Sequence, residues 1–260
     1  MPEHEAPRRL RRAEAVLRRR SRRILLVVEA CASDHNFQAV LRTAEGFGVQ
    51  HVWLVDDPLD PRTTRRGISN AVTKGTHRWL SLRRFPDTAA CLRALSEEGR
   101  ELWASQLAAD AEQLLPGRVP PIPPRLALAV GSEARGVSPE LLAAARRRVC
   151  LPMWGFTDSF NLSVATGLLL QRLFDACPEA HGDLDEAERA ELRRRWYERL
   201  ARSERQFHAW RRWLEEPPEP LPDPRPPDAL RRPRMKKSLL QQYVRRSLRL
   251  EEEEPPDDRG

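Results

Sequence analysis

From Ile24 to Cys177 the chain alternates short apolar runs with stretches in which apolar residues return at helical steps. The runs ILLVVEA, HVWLV, ELWAS, RLALAVG and RVCLP read as strands of the kind buried on both faces. Between them, NFQAVLRTAEGFG puts Phe37, Val40, Leu41 and Ala44 on one helical face. PDTAACLRALSEEG, SPELLAAA and SFNLSVATGLLLQRLF read as further helices. Strands alternating with helices predict an α/β domain over residues 24–177, a mostly parallel sheet covered on both faces.

The pattern changes on either side of that block. Residues 1–23 form a basic segment with nine arginines between Arg8 and Arg23. Leu10, Ala13 and Leu17 would give a helix there a thin apolar stripe, its other faces strongly positive and its arginines without an obvious part in a core. Over residues 178–214, Leu184, Leu192, Trp196, Leu200, Phe207, Trp210 and Leu214 recur among charges, which predicts an amphipathic helix that must dock on something. Residues 215–234 carry eight of the 23 prolines and read as an extended linker. Residues 235–260 read as a short basic helix and an acidic tail.

Charge sharpens this picture. The chain has 45 Lys+Arg against 38 Asp+Glu, a net +7, and only Lys74, Lys236 and Lys237 are lysines. Guanidinium groups suit bidentate contacts to phosphate, which makes nucleic acid the leading partner class, although a base composition that writes Arg for Lys gives the same ratio. Cys31, Cys91, Cys150 and Cys177 are too far apart for a disulfide framework and read as reduced core residues. No histidines fall at H-x-x-x-H spacing, so no metal site is expected. No apolar run reaches the roughly 18 residues of a membrane span, and the basic N-terminus lacks a following apolar core, so a cytoplasmic protein is expected.

Three segments place polar residues where a plain core would not. Asn36 and Arg42 lie on the helix after the first strand, where a helix cap and a surface arginine paired to Glu45 are equally available readings. The turn G-S-E-A-R-G, from Gly131 to Gly136, stands at the carboxyl end of an apolar strand, the end at which open α/β sheets bind ligands. It also fits a tight connection with Glu133 in solvent. In LPMWGFTDSFNLSVA, Ser159 or Asp158 would serve as N-cap of a helix whose first turn holds Ser159 and Asn161, while Trp154 and Phe156 suggest an aromatic wall.

Taken in order, N-x-x-A-x-x-R-T-A, V-G-S-E-x-x-G-V and L-P-M-x-G-x-x-x-S-x-N-x-S-V-A resemble the SpoU/TrmH branch of the SPOUT methyltransferases over roughly residues 10–177. The segment SNAVTKGTHRWLSL is also similar to one that members acting on guanosine 18 of the tRNA D-loop place between their second and third strands. The resemblance implies a SPOUT-type sheet with a C-terminal trefoil knot, S-adenosylmethionine as methyl donor, a ribose 2'-hydroxyl in RNA as acceptor, and a homodimer. Carried over by motif, cofactor contacts fall on Ser105, Gln106, Gly131, Leu151 and Phe160, the last standing where relatives commonly have leucine. The reacting site falls on Arg42, Asn36, Glu133, Ser159 and Asn161. RNA contacts are expected from Arg11, Arg12, Arg18 and Arg19, with Arg172 where many relatives are more basic. Transfer RNA is the leading substrate, ribosomal RNA is the alternative, and a non-catalytic RNA-binding protein on the same scaffold is a third reading.

Overall fold

The computed structural model describes residues 5–64, 75–132, 134–225 and 241. Helix α1 (Arg8–Leu17) precedes β1 (Ile24–Glu29), α2 (Asp34–Gly46), β2 (His51–Val55) and a short α3 (Pro61–Thr64). A 3-10 turn at Thr76–Trp79 leads into β3 (Ser81–Phe85), α4 (Thr88–Glu97), β4 (Glu101–Ser105) and β5 (Glu112–Gln113). Then come β6 (Leu126–Val130), α5 (Pro139–Ala144), β7 (Arg147–Cys150) and α6 (Leu162–Ala176). The strands form one seven-stranded sheet in the order β3-β2-β1-β6-β4-β7-β5, every pairing parallel.

Side chains of a strand point alternately to its two faces, and β1 shows what that does here. Ile24, Leu26 and Val28 face α2 and α6, where they join Phe37, Leu41, Leu169 and Leu173. Leu25 and Val27 face α4 and α5 and join Cys91, Leu95 and Leu141. The strand is apolar throughout because neither face meets water. The two strands that show no such run lie at the edges. In β3, Arg83 and Arg84 are exposed, and Arg83 lies 4.9 Å over the Trp53 ring and 4.7 Å over that of Phe85. β5 has two exposed residues.

The stripe Leu10, Ala13 and Leu17 is buried within its own chain, against α7 (Glu186–Leu200). The expected C-terminal helix is three pieces, α7, α8 (Glu204–Ala209) and α9 (Arg212–Glu215); the breaks follow from the extended cap Ser203 and from Trp210 and Arg211. Leu184, Leu192, Trp196 and Trp210 complete this second core. In its centre the Glu14 carboxylate accepts hydrogen bonds from Arg193 Nε at 2.9 Å and Nη2 at 3.2 Å and from the Tyr197 hydroxyl at 2.8 Å. Burial raises the pKa of that hydroxyl well above its ordinary value. Arginines do contribute to the interior: Arg20 is fully buried, its Nη2 2.8 Å from Glu45 Oε1, and desolvation pulls its pKa down. Beyond α9 the chain runs back along α1, where Leu221 N–H donates to the Arg11 carbonyl at 3.1 Å. Contacts divide the chain after Pro222; of the second unit only Asp223–Arg225 and Gln241 are described, so the expected basic helix lies outside the described residues but for Gln241.

All four cysteines are buried, and burial, with Glu29 nearby, pushes the Cys91 thiol up to about 12. Thiolate is the reactive form. At pH 8 the native protein is therefore expected to react with less than about one equivalent of Ellman's reagent over minutes, and the unfolded chain with all four. Rapid labelling of two or more thiols in the native state would contradict the buried placement.

Candidate functional site

The carboxyl ends of β4, β6 and β7 open into a cleft of about 360 Å³, inside the ~300–1,000 Å³ range of small-molecule sites. It is lined by Ser105, the last residue of β4, and the following Gln106, by Gly131, Ser132, Arg135 and Gly136 after β6, and by Leu151, Met153, Ser159 and Phe160 after β7. Residues far apart in sequence meet here because parallel strands end on the same side and each hands its following loop to that edge.

The turn after β6 has little freedom. Ser132 N–H donates to the Gly136 carbonyl at 3.1 Å and Gly136 N–H returns to the Ser132 carbonyl at 2.8 Å. A Cβ on Gly131 would sit 1.9 Å from the Gly136 carbonyl oxygen, so this position admits glycine alone. Gly136 itself is left-handed, with φ +66°. Two anchors hold the turn. Glu29, the last residue of β1 and 3 % exposed, accepts from Ser138 N–H at 2.7 Å, from Ser138 Oγ at 2.7 Å and from Thr88 Oγ1 at 2.6 Å. Arg135 pairs with Asp57 beyond β2, and that hydrogen bond holds the Asp57 carboxyl below the usual carboxylate range.

The two asparagines meet at the amino ends of α2 and α6: Asn161 Nδ2 donates to Asn36 Oδ1 at 3.0 Å. Asn161 is the N-cap of α6, its Oδ1 accepting from Ser163 N–H at 3.0 Å, so neither Ser159 nor Asp158 fills that role and Ser159 precedes the helix in the cleft wall. Ser33, not Asn36, caps α2. Trp154 and Phe156 do not line the cleft; they are 91 % and 109 % exposed.

Arg42 is not in the cleft. It stands six residues beyond Asn36, about 9 Å further along α2, exposed and without a hydrogen bond or ion pair among the described residues. Glu45, the partner that spacing offered it, is taken by Arg20. Gln38, on the same helix, is buried at 5 % exposure. Neighbouring Thr43 meets Gly167 of α6, whose added Cβ would lie 3.5 Å from Thr43 Cγ2. Arg42 therefore emerges beside the seam with α6, where Val164 and Leu168 are 49 % and 40 % exposed. Glu133 and residues 69–74 of SNAVTKGTHRWLSL lie outside the described residues.

Among the basic residues, Arg12 and Arg18 are exposed, while Arg11 Nε donates to the Glu219 carbonyl at 2.9 Å and Arg19 Nη2 to that of Pro222 at 3.0 Å. Arg172 lies ten residues into α6, about 15 Å from the cleft end. Sequence reasoning missed Glu29, Arg135 and Met153. Glu29 had a signal, being the one acid inside the run ILLVVEA.

The model of the SpoU rRNA Methylase family matches residues 23–171, a span that holds the parallel strands, the glycine-locked turn and the asparagine pair. The chain belongs to that family. Among relatives of this SpoU chain, the tRNA (guanosine(18)-2'-O)-methyltransferase of Thermus thermophilus is 35% identical over 162 residues, covering 62% of this chain and 79% of the relative. The 23S rRNA (guanosine-2'-O-)-methyltransferase RlmB of Salmonella typhi is 31% identical over 149 residues, covering 57% and 58%. The crystal structure of the A. aeolicus TrmH/SpoU tRNA modifying enzyme superposes with a TM-score of 0.61 at 26% identity, over 75% of this chain and 96% of that one.

Proposed function

We propose that this SpoU-family RNA 2'-O-methyltransferase acts on a guanosine of tRNA, guanosine 18 of the D-loop, with S-adenosylmethionine held in the β4-β6-β7 cleft. The single observation that carries the reading is the convergence of Ser105, Gln106, Gly131, Leu151, Phe160 and Ser159 on one cleft beside the Asn36–Asn161 pair. The cleft fits the cofactor chemically: Gln106 Oε1 is buried with no donor among the described residues, and the lining sets Ser105, Ser132 and Ser159 beside Leu151, Met153 and Phe160. S-adenosylmethionine supplies an electrophilic methyl group on a sulfonium when bound. The name of the Thermus relative supports tRNA as substrate, and the RlmB relative keeps 23S rRNA as the second reading.

The chain's own residues must orient the acceptor hydroxyl in line with that methyl group, because a ribose hydroxyl is a weak nucleophile until its proton leaves. A guanidinium is always protonated, so Arg42 does not act as base. It orients the hydroxyl and stabilises the developing alkoxide, while a substrate phosphate or solvent takes the proton. Asn36 and Asn161 tie the amino ends of α2 and α6 together, and Ser159 shapes the wall. Arg42 stands away from its own cleft, and the exposed apolar row Val164 and Leu168 with Trp154 and Phe156 offers a surface on which two copies pair. In such a homodimer Arg42 serves the partner's cleft. Leu168→Glu is expected to give a monomer by light scattering at micromolar concentration, with activity lost; a wild-type monomer at that concentration would remove the dimer from the scheme.

The knot belongs to the same reading. It is supported by β4 lying between β6 and β7 and by the close packing of Gly131 on Gly136. Gly131→Ala is expected to weaken S-adenosylmethionine binding at least about tenfold by calorimetry, because the clash is with backbone and cannot be relieved by a rotamer change. Unchanged affinity would place the cofactor elsewhere. The address is tested by mass-spectrometric mapping of ribose methylation in tRNA and rRNA from cells with and without the gene. Loss at tRNA position 18 is expected; loss confined to a 23S nucleotide would move the address to ribosomal RNA.

A further inference from the structure

Past α9, residues 216–222 (EPPEPLP) lie along α1 as a strap. The strap is held lightly. Four of its seven residues are prolines, which bring no N–H, and none of the seven is buried. Of the remaining amides, Glu216 N–H stays with the Arg212 carbonyl at 2.9 Å and Leu221 N–H donates to the Arg11 carbonyl at 3.1 Å. The other ties come from two arginines of the basic segment: Arg11 Nε donates to the Glu219 carbonyl at 2.9 Å and Arg19 Nη2 to the Pro222 carbonyl at 3.0 Å, both bonds exposed to solvent. An extended proline-rich chain turns once in three residues and rises about 3.1 Å per residue, so these two carbonyls face the same side about 9 Å apart. Glu216 and Glu219, both exposed, line a groove with Arg11. The strap thus sets a row of oxygens and two carboxylates on the arginines where an RNA backbone would set phosphates.

We propose that this strap is an autoinhibitory cover on an RNA-backbone surface of α1, and that RNA binds there by displacing it. A carbonyl offers a guanidinium one neutral acceptor, whereas a phosphate offers it a charge and two oxygens that match its fork. Exchange of one for the other favours RNA at Arg11 and Arg19, while the exposed Arg12 and Arg18 are open to the first contact. Release of the strap uncovers no core, because no residue past Leu214 joins the second core among the described residues. Displacement lowers the affinity of every RNA by one factor, which keeps weakly bound RNA off the enzyme and leaves in place an RNA that also engages the methyl-transfer site. The inference rests on RNA being the substrate of this enzyme.

The test uses Leu221→Pro in the full-length protein. Leu221 already stands before Pro222, which favours extended backbone, so the substitution keeps the strap's shape and removes its amide bond to α1. Binding of a fluorescent tRNA transcript is followed by anisotropy over a range of salt. Hydrogen exchange of the Glu219 and Leu221 amides is followed in the wild type with and without that RNA. Leu221→Pro is expected to bind at least threefold more tightly at an unchanged slope of log affinity against log salt, because the bound state makes the same phosphate contacts in both proteins. The gain should disappear when Arg11→Gln and Arg19→Gln are added, and exchange in the wild-type strap should speed up on RNA binding. A slope steeper by about 1.5, from roughly 0.7–0.9 for each of two new phosphate contacts, with wild-type exchange unchanged, would show a strap that RNA never moves and overturn the proposal. Unchanged or weaker binding would overturn it too. If Leu221→Pro does not fold, exchange in the wild type decides alone. Strap release by tRNA in a protein whose methyl transfer maps to 23S rRNA would move the address and leave the strap standing, whereas methylation of tRNA position 18 without strap release would sink the strap alone.

Discussion

Arg42→Ala is expected to lower kcat for methyl transfer at least about 100-fold, the usual consequence of removing a preorganised donor from a developing oxyanion, while S-adenosylmethionine affinity stays within about twofold. The two effects separate because Arg42 lies on α2, outside the cleft that Gly131, Leu151 and Phe160 line. Loss of stability will not imitate the result: Arg42 is exposed and unpartnered among the described residues, and substitutions at such positions are usually within about 0.5 kcal/mol. Arg42→Lys is expected to fail as well, since a point charge cannot reproduce a planar fork of donors. Single-turnover kinetics with in vitro transcribed tRNA, paired with cofactor titration, checks both halves. More than a tenth of wild-type turnover in Arg42→Ala would count against its role in the reaction.

Glu14→Ala is expected to destabilise the α1–α7 layer by about 3–5 kcal/mol, because it leaves Arg193 charged, 5 % exposed and without its bidentate acceptor, and takes the acceptor from the Tyr197 hydroxyl as well. Pairing it with Arg193→Met should restore much of the loss, since removing both charges also removes the desolvation penalty. The readout is the denaturant midpoint followed by tryptophan fluorescence, Trp196 and Trp210 lying in that core. A shift below about 1 kcal/mol in the single variant would mean that water reaches Arg193. The same packing changes how the basic segment must be tested for RNA binding. Deleting residues 1–20 would remove Leu10, Glu14, Leu17 and Arg20 from the interior, so charge substitutions at the exposed Arg12 and Arg18 are the informative ones.

Elements buried on both faces were legible in the sequence. Ile24–Glu29, His51–Val55 and Leu126–Val130 are continuous apolar runs because helices cover both sides, and Phe37, Val40, Leu41 and Ala44 keep helical spacing because one face of α2 meets the sheet. The cleft residues Ser105, Gln106, Gly131, Leu151 and Phe160 were legible only through ordered motifs, since no periodicity marks a loop. β3 and β5 were not legible, as edge strands need no apolar run. Which acid partners which arginine was hidden for another reason. Within a helix, spacing offered Glu45 to Arg42, but Arg20, 25 residues earlier in the chain, is buried against it and gains more from a charged acceptor than an exposed arginine does. Likewise the spacing of Leu10, Ala13 and Leu17 was enough to show that they need a partner surface, and only the folded chain shows that the partner is its own α7, because an apolar stripe specifies the area to be covered and not the element that covers it.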